Sequence, residues 1–73
     1  VDSGLLQALK AKRTELARER SVPPYVIFSD KTLIDMAHRQ PTTAEEFLDL
    51  HGVGAKKAEQ FSAIFLAVLA NNR

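Results

Sequence analysis

Apolar residues recur at helical spacing in several separate stretches of the chain, beginning close to its N-terminus. The first apolar stripe consists of Leu5, Leu6, Leu9, Leu16 and Ala17. It predicts an amphipathic helix from about Gly4 to Arg20, because residues three and four apart share one face. Asp2 or Ser3 is the expected N-cap of this helix.

Arg13 lies along the edge of this apolar stripe rather than opposite to it. A long basic side chain can cover apolar surface with its stem while its charged group reaches water or a carboxylate. We expect Arg13 to do this, with Asp30 or Glu19 as its acidic partner. A contact between Arg13 and nucleic acid is the alternative interpretation.

Paired prolines, Pro23 and Pro24, interrupt the helical pattern. They cannot continue a helix, and the apolar run behind them has no second strand to pair with. The segment therefore predicts a connector containing a turn of helix, with three core residues: Val26, Ile27 and Phe28. Tyr25 follows the prolines directly, where it is either a rigid stacking surface for a nucleic-acid base or an ordinary surface aromatic.

The second helix is predicted from Asp30 to about Arg39, with Ser29 as its N-cap. Its inward-facing residues are expected to be Leu33, Ile34, Met36 and Ala37. Asp35 and Arg39 are four residues apart, which predicts an ion pair on the helix surface. Pro41 ends this helix because proline cannot continue it.

A third, short helix is predicted to run to about Leu50. Its start carries a capping box, formed either by Thr42 with Glu45 or by Thr43 with Glu46. The residues that it should bury are Phe47, Leu48 and Leu50.

The last helix is predicted from about Ala55 to Ala70. Its apolar face consists of Ala58, Phe61, Ile64, Phe65, Val68 and Leu69. A face of this width should form the centre of the core. Together the elements predict an all-α fold, a small orthogonal bundle of four main helices plus a short helical connector.

Between the last two helices lies Gly52-Val53-Gly54, followed by Lys56 and Lys57. Gly52 stands where a helix C-terminus favours a left-handed residue, so we expect its φ angle to be positive. Gly54 leaves the start of the last helix open, where free N–H groups beside two lysines can bind an anion. The stretch favours a phosphate-binding hairpin and resembles the helix-hairpin-helix motif. The alternative is a tight connection between packed helices.

The chain has 73 residues, which corresponds to one small domain. It contains no cysteine, which excludes a disulfide framework and a zinc–thiolate site and fits a reducing compartment. No apolar run approaches the about 20 residues of a membrane span. The start at Val1 is typical of a domain taken from a longer chain.

The net charge is only +1, from 10 basic and 9 acidic residues. A domain that binds nucleic acid tightly by itself usually carries a larger or more segregated basic excess. We therefore expect any contact with nucleic acid to be local, weak and sensitive to salt.

Groups that could perform catalysis are scattered along the sequence. His38 and His51 lie on different predicted elements, and most carboxylates serve as caps or lie on exposed helix faces. Because no acid, base and nucleophile form a set, we predict a non-enzyme with no catalytic residue, no metal site and no cofactor.

With its elements in this order, the sequence resembles the HRDC domain, a helical module of RecQ-family DNA helicases and of RNase D. The residues that carry the resemblance are Leu9 to Arg13, Val22 to Leu33, Pro41 to Thr43, Leu50 to Gly54, Lys57 and Phe61. They span nearly the whole chain. The Val-Pro-Pro-Tyr-Val block followed by Gly-Val-Gly is most similar to bacterial RecQ, and the resemblance implies a small helical bundle.

The resemblance also implies an auxiliary domain that contacts single-stranded or partial-duplex DNA weakly and tunes the substrate preference of an ATP-dependent helicase in DNA repair and recombination. The residues expected to bind nucleic acid are Tyr25, Lys31, Arg39, Gly52, Gly54, Lys56 and Lys57. We expect a monomer in the bacterial cytoplasm, associated with the nucleoid and without membrane contact.

Two other functions stay open at this point. The first is a regulatory module that docks onto the helicase core or another protein. The near-neutral net charge and the acidic residues Glu45, Glu46 and Asp49 favour this function. The second is an RNA-binding appendage of a nuclease.

Overall fold

The computed structural model describes residues 3–72, and every regular element within that range is helical. The helices are α1 (Ser3–Arg20), α2 (Pro24–Ile27), α3 (Asp30–Arg39), α4 (Ala44–Leu48) and α5 (Ala55–Asn71). The all-α prediction is therefore confirmed, with α2 as the turn of helix in the connector. Asp2, one of the two predicted caps of α1, lies outside the described residues. No helix in this range is both long and apolar enough to cross a membrane.

The core forms where the apolar faces of the helices meet. Helix α1 packs against α2, α3 and α5, and α4 packs against α5. The residues buried from α1 are Leu5, Leu9, Leu16 and Ala17, and those from α5 are Ala58, Phe61, Phe65 and Leu69. Both sets follow the stripes predicted from the sequence. Burial of this apolar surface is the main force that stabilises so small a domain.

Phe28, the residue after α2, is the aromatic centre of this core. Its ring makes edge-to-face contacts with the rings of Phe47, Phe61 and Phe65, at centroid distances of 5.9, 5.7 and 5.2 Å. Aromatic pairs of this geometry add about 0.5–1.5 kcal/mol each beyond the burial of their area. One side chain therefore anchors the connector to both α4 and α5.

Three residues predicted to be buried lie at the surface instead. Val26, Ile34 and Leu48 are 41%, 45% and 44% exposed, so the predictions of burial for them are wrong. Each lies on a helix whose inward positions are filled by neighbours, and a step of about 100° per residue turns these side chains outward. Helix α4 also ends at Leu48, before the predicted end, although Leu50 is buried as expected.

Arg13 packs along the core edge and holds the connector. Its Nη1 donates to Asp30 Oδ1 at 2.7 Å and to the carbonyl oxygen of Phe28 at 3.0 Å. The first of its two predicted acidic partners is therefore confirmed. Arg20, at the end of α1, lies over the ring of Phe61, with 4.9 Å between the guanidinium carbon and the ring centroid.

Side-chain caps begin α3 and α4. Ser29 Oγ accepts a hydrogen bond of 3.3 Å from the N–H of Thr32, as the sequence predicts. Thr43 Oγ1 accepts a hydrogen bond of 3.1 Å from the N–H of Glu46. The Glu46 carboxylate, however, accepts from the N–H of Thr42 at 2.8 Å rather than from Thr43. The capping box of Thr43 and Glu46 is thus present, but the hydrogen bond back to the Glu46 carboxylate comes from Thr42 rather than from Thr43.

Candidate nucleic-acid interface

The turn between α4 and α5 is built around Gly52, whose φ angle is +75°. The predicted positive φ is confirmed. A Cβ atom on Gly52 would lie 2.9 Å from Thr32 Oγ1, so the close approach of α3 requires glycine as well. Gly54 differs, because its backbone is extended and a Cβ there would meet nothing within 4 Å. Val53, between the two glycines, is partly buried and packs against the core.

Two side chains of α3 attach this turn to the bundle. Thr32 Oγ1 donates to the carbonyl oxygen of His51 at 2.8 Å, and Asp35 Oδ2 accepts from the N–H of His51 at 2.9 Å. Thr32 is buried, which the sequence does not indicate, because a hydroxyl residue gives no sign of its buried partner. Since both backbone polar groups of His51 are bonded to α3, the turn has a fixed position on that helix.

The hydrogen bond from the backbone N–H of His51 also favours the ionised form of Asp35. It lowers the pKa of the Asp35 carboxyl, and the charge and hydrogen bond of Arg39 add to this, while partial desolvation opposes it. Arg39 Nε donates to Asp35 Oδ1 at 3.0 Å, which confirms the predicted surface pair. Asp35 therefore stays ionised at neutral pH, and both of its carboxylate oxygens accept hydrogen bonds from other residues of the domain.

A groove, here named the α3 groove, lies between α3 and the turn. Its lining residues are Lys31, Ile34, Asp35, His38 and His51. Both histidines lie on different elements and belong to no set in the sequence, and the structure brings them together with Lys31. The spacing of Lys31, Ile34 and His38 on one helix face was visible in the sequence. The position of His51 was not. No three His, Asp or Glu side chains in residues 3–72 lie close enough together to hold a metal ion.

A second groove, named the connector groove, contains two of the residues predicted to bind nucleic acid. Its lining residues are Arg13, Pro24, Tyr25, Ser29, Asp30 and Lys31. The side chain of Tyr25 is 70% exposed, beside the rigid ring of Pro24. The hydrogen bond and the charge of Arg13 lower the pKa of the Asp30 carboxyl in this groove. Tyr25 and Lys31 thus line the same groove, and the carboxylate of Asp30 in that groove is already paired with Arg13.

Lys31 lines both grooves, so they meet at this residue, at the start of α3. Arg39, at the C-terminal end of the same helix, lines neither of them. It lies instead beside Glu46 and Asp49, in addition to its pair with Asp35. The predicted residue Arg39 is therefore separated from Tyr25 by the length of the helix and surrounded by acidic groups.

The two lysines of the hairpin have different environments. Lys57 is half-buried, and its Nζ donates to the carbonyl oxygen of Val26 at 2.9 Å. The same ammonium group lies 5.7 Å from the centroid of the Phe28 ring. Lys56 is exposed to solvent. The first turn of α5 thus carries one cation directed at the connector and one directed outward.

Comparison with known proteins identifies the family. The model of the HRDC domain family matches residues 2–69 of the chain. The RecQ ATP-dependent DNA helicase of Pasteurella multocida is 38% identical over 72 residues, 99% of this chain and 11% of that protein. The corresponding helicase of Bacillus subtilis is 42% identical over 62 residues, 85% of this chain and 10% of that protein.

A second type of helicase carries a similar segment. The ATP-dependent DNA helicase UvrD2 of Mycobacterium tuberculosis is 41% identical over 69 residues, which is 94% of this chain and 10% of that protein. The chain spans only about a tenth of the length of these relatives. It therefore corresponds to an accessory region of them.

A solved structure gives the same result for the fold. The third HRDC domain of D. radiodurans RecQ matches with a TM-score of 0.90 and 32% sequence identity, over 93% of this chain and 90% of that one. Sequence family, relatives and fold agree over nearly the full length. The chain belongs to the HRDC domain family and is of the type found in bacterial RecQ helicases.

Proposed function

We propose that this domain is an auxiliary nucleic-acid-binding module of a DNA helicase, which contacts single-stranded or partial-duplex DNA weakly and tunes the choice of substrate. The observation that carries this proposal is the groove shared by Tyr25 and Lys31. An exposed aromatic ring offers a stacking surface to a base, and a nearby ammonium group offers a counter-charge to its phosphate. The relatives named above, which are DNA helicases, support the same function.

The hairpin extends this surface in our proposal. Gly54 presents backbone without a side chain, so that a phosphate can approach the N–H groups at the start of α5, and Gly52 allows the turn that leads to them. Lys56 supplies an exposed cation beside them. Lys57 contributes by holding the connector through Val26. Arg39 contributes least in our proposal, because its charge is paired with Asp35 and lies beside Glu46 and Asp49.

Weak binding follows from the small number of available cations. Each phosphate neutralised on a single strand contributes about −0.7 to the slope of log affinity against log salt. Two to four phosphate contacts therefore correspond to a slope of about −1.4 to −2.8. A DNA-contacting role would also associate the protein with the nucleoid.

A salt titration of single-stranded DNA binding tests this proposal. Tyr25 is the only tyrosine and the chain has no tryptophan, so its intrinsic fluorescence reports the connector groove alone. We expect DNA to quench this fluorescence. Tyr25→Ala should weaken binding, measured with labelled DNA, without changing the salt slope, because stacking releases no counterions. Lys31→Met should make the slope shallower by about 0.7.

The matched control is Gln60→Ala, a substitution at an exposed residue of α5 that lines neither groove. It should leave both affinity and slope unchanged. Absence of binding at low salt, or equal binding by the parent and both groove variants, would show that the domain does not use this surface for DNA.

The second candidate function is a regulatory module that docks onto the helicase core or a partner protein. The observation that favours it is the surface of α4, where Leu48 is 44% exposed between the exposed acidic residues Glu45 and Asp49. A basic protein surface would complement this patch. Leu48→Gln in the full-length protein should then alter helicase activity while leaving DNA binding by the domain unchanged.

A further inference from the structure

We propose that the α3 groove is a second nucleotide-binding subsite, which receives a base further along a strand that stacks on Tyr25. This inference rests on the DNA-binding function proposed above. It adds a site whose principal residues, Ile34, His38 and His51, are not among those that the sequence predicts to bind nucleic acid.

The surface of the groove has the chemistry that a base requires. Ile34 is 45% exposed, which leaves an apolar side chain facing solvent in the groove. His38 and His51 are also exposed, and they contribute planar imidazole rings from two different elements. Bases of single strands stack on aromatic side chains, histidine included, and on apolar surface.

The groove is formed before any ligand binds. His51 is held at both its N–H and its carbonyl by Asp35 and Thr32, at 2.9 and 2.8 Å. The backbone of this wall therefore does not have to be ordered during binding. A preformed site loses less conformational entropy on binding than a mobile one, which favours even a weak ligand.

The charges at the groove favour an anionic ligand. Lys31 lines it, and Asp35 is the one acidic residue among its lining residues. Both oxygens of Asp35 already accept hydrogen bonds, from Arg39 Nε and from the N–H of His51. Its negative charge is therefore balanced within the fold, and the charge of Lys31 remains for a phosphate.

A nucleic-acid strand fits these observations better than an acidic peptide does, because Lys31 lines the connector groove as well. Because both grooves share this lysine, its ammonium group can pair with a phosphate of the backbone that joins two bound bases. The stacking surfaces on either side of it are Tyr25 and the Ile34–histidine surface. A peptide ligand of the α3 groove would not require Tyr25.

Two signals follow the two grooves separately. The chain has only two histidines, so the imidazole proton signals in an NMR spectrum report the α3 groove alone. The fluorescence of Tyr25 reports the connector groove. With an oligothymidylate of about 12 nucleotides at low salt, we expect quenching of Tyr25 and shifts of both imidazole signals in the same concentration range.

A variant measures the contribution of the groove. Ile34→Gln should lower the affinity for this oligothymidylate by about 5- to 100-fold, the effect of losing one stacked base. The quenching of Tyr25 at saturation should stay as in the parent, because the connector groove is still filled. Leu48→Gln is the matched control, since Leu48 has nearly the same exposure and lines neither groove.

The possible outcomes separate this inference from the proposed function. Quenching of Tyr25 without imidazole shifts, or parent-like affinity of Ile34→Gln, would overturn the second subsite and leave the first one standing. If neither signal responds, both proposals fall. Should Ile34→Gln fail to fold, as seen by circular dichroism, the exposed residue His38 provides the second variant, His38→Ala, with the same expected loss.

Discussion

Lys57 Nζ donates a hydrogen bond of 2.9 Å to the carbonyl oxygen of Val26. This bond joins the first turn of α5 to the connector, and it places the ammonium group 5.7 Å from the centroid of the Phe28 ring. Tyr25 immediately precedes Val26. The hairpin and the exposed tyrosine are therefore linked by a lysine that the sequence pattern marks only as a phosphate contact.

We expect the two hairpin lysines to respond differently to substitution by methionine. Lys57→Met keeps the aliphatic stem but removes the hydrogen bond to Val26, so it should lower the free energy of unfolding by about 1 kcal/mol. Lys56→Met should leave stability within about 0.5 kcal/mol of the parent. It should instead make the salt slope of DNA binding shallower by about 0.7, because Lys56 is free to neutralise a phosphate.

Urea unfolding and a salt titration of both variants check this prediction. The reverse pattern would be a Lys57→Met variant that is as stable as the parent but whose DNA binding depends less on salt. This result would mean that Lys57 contacts phosphate directly. Its ammonium group keeps two further donors, so this outcome is chemically accessible.

Gly52→Ala should destabilise the domain by at least about 1–2 kcal/mol. An L-residue at a φ of +75° carries that cost in backbone strain, and the new Cβ would also press on Thr32 Oγ1. Thermal and urea unfolding measure the change. Gly54→Ala is the control, because the backbone there is extended and the space is open, and it should cost less than about 1 kcal/mol. Equal losses for the two variants would contradict the conformational argument.

Phe61→Ala should lower the free energy of unfolding by about 3–5 kcal/mol, which is enough to leave much of a domain this small unfolded. The ring is buried, packs edge-to-face on Phe28 and lies beneath the guanidinium of Arg20. The exposed neighbour Gln60 supplies the control, Gln60→Ala, with an expected change below about 0.5 kcal/mol. A Phe61→Ala melting point within a few degrees of the parent would mean that α5 buries a different face.

Asp35→Asn should lower stability at pH 7 by about 1 kcal/mol, because it weakens the hydrogen bonds to His51 and Arg39. The pKa of Asp35 is lower in the folded than in the unfolded state. Its stabilising contribution is therefore present above the unfolded pKa of about 3.9 and is lost as the pH falls through the folded pKa.

The difference between the parent and Asp35→Asn should consequently shrink below about pH 4. Urea unfolding at several pH values measures it. The pKa of Asp30 is also lowered, by Arg13, so the Asp35→Asn variant should keep some acid sensitivity from that second carboxyl. A difference that stays constant from neutral to acidic pH would contradict the assignment.

The helices could be predicted from the sequence because each carries a local signal. Ser29 caps α3 and the stripe through Leu9 and Leu16 marks α1, and neither depends on distant residues. The outward positions of Val26, Ile34 and Leu48 could not be predicted in this way. In helices this short, an apolar residue beside the inward face is buried or exposed according to which neighbouring element covers it, and that depends on tertiary structure.

In the candidate site, too, the local features could be predicted from the sequence and the contacts between distant residues could not. The positive φ of Gly52 and the exposure of Tyr25 follow from local chemistry, which the sequence contains. The carbonyl partner of Lys57 and the bond from Thr32 to the turn join residues far apart in the chain. Backbone acceptors leave no trace in residue identity, so these contacts become visible only in the structure.

The ring of Phe28 has a consequence for how the connector moves. Segments with paired prolines and many exposed residues ordinarily open locally, at a small fraction of the global unfolding free energy. Here such an opening would pull Phe28 away from three other rings on α4 and α5. The amide of Val26, bonded to Pro23 at 3.0 Å, should therefore exchange its hydrogen with solvent about as slowly as the amides in the middle of α5. We therefore expect the segment that carries Tyr25 to open only together with the rest of the domain.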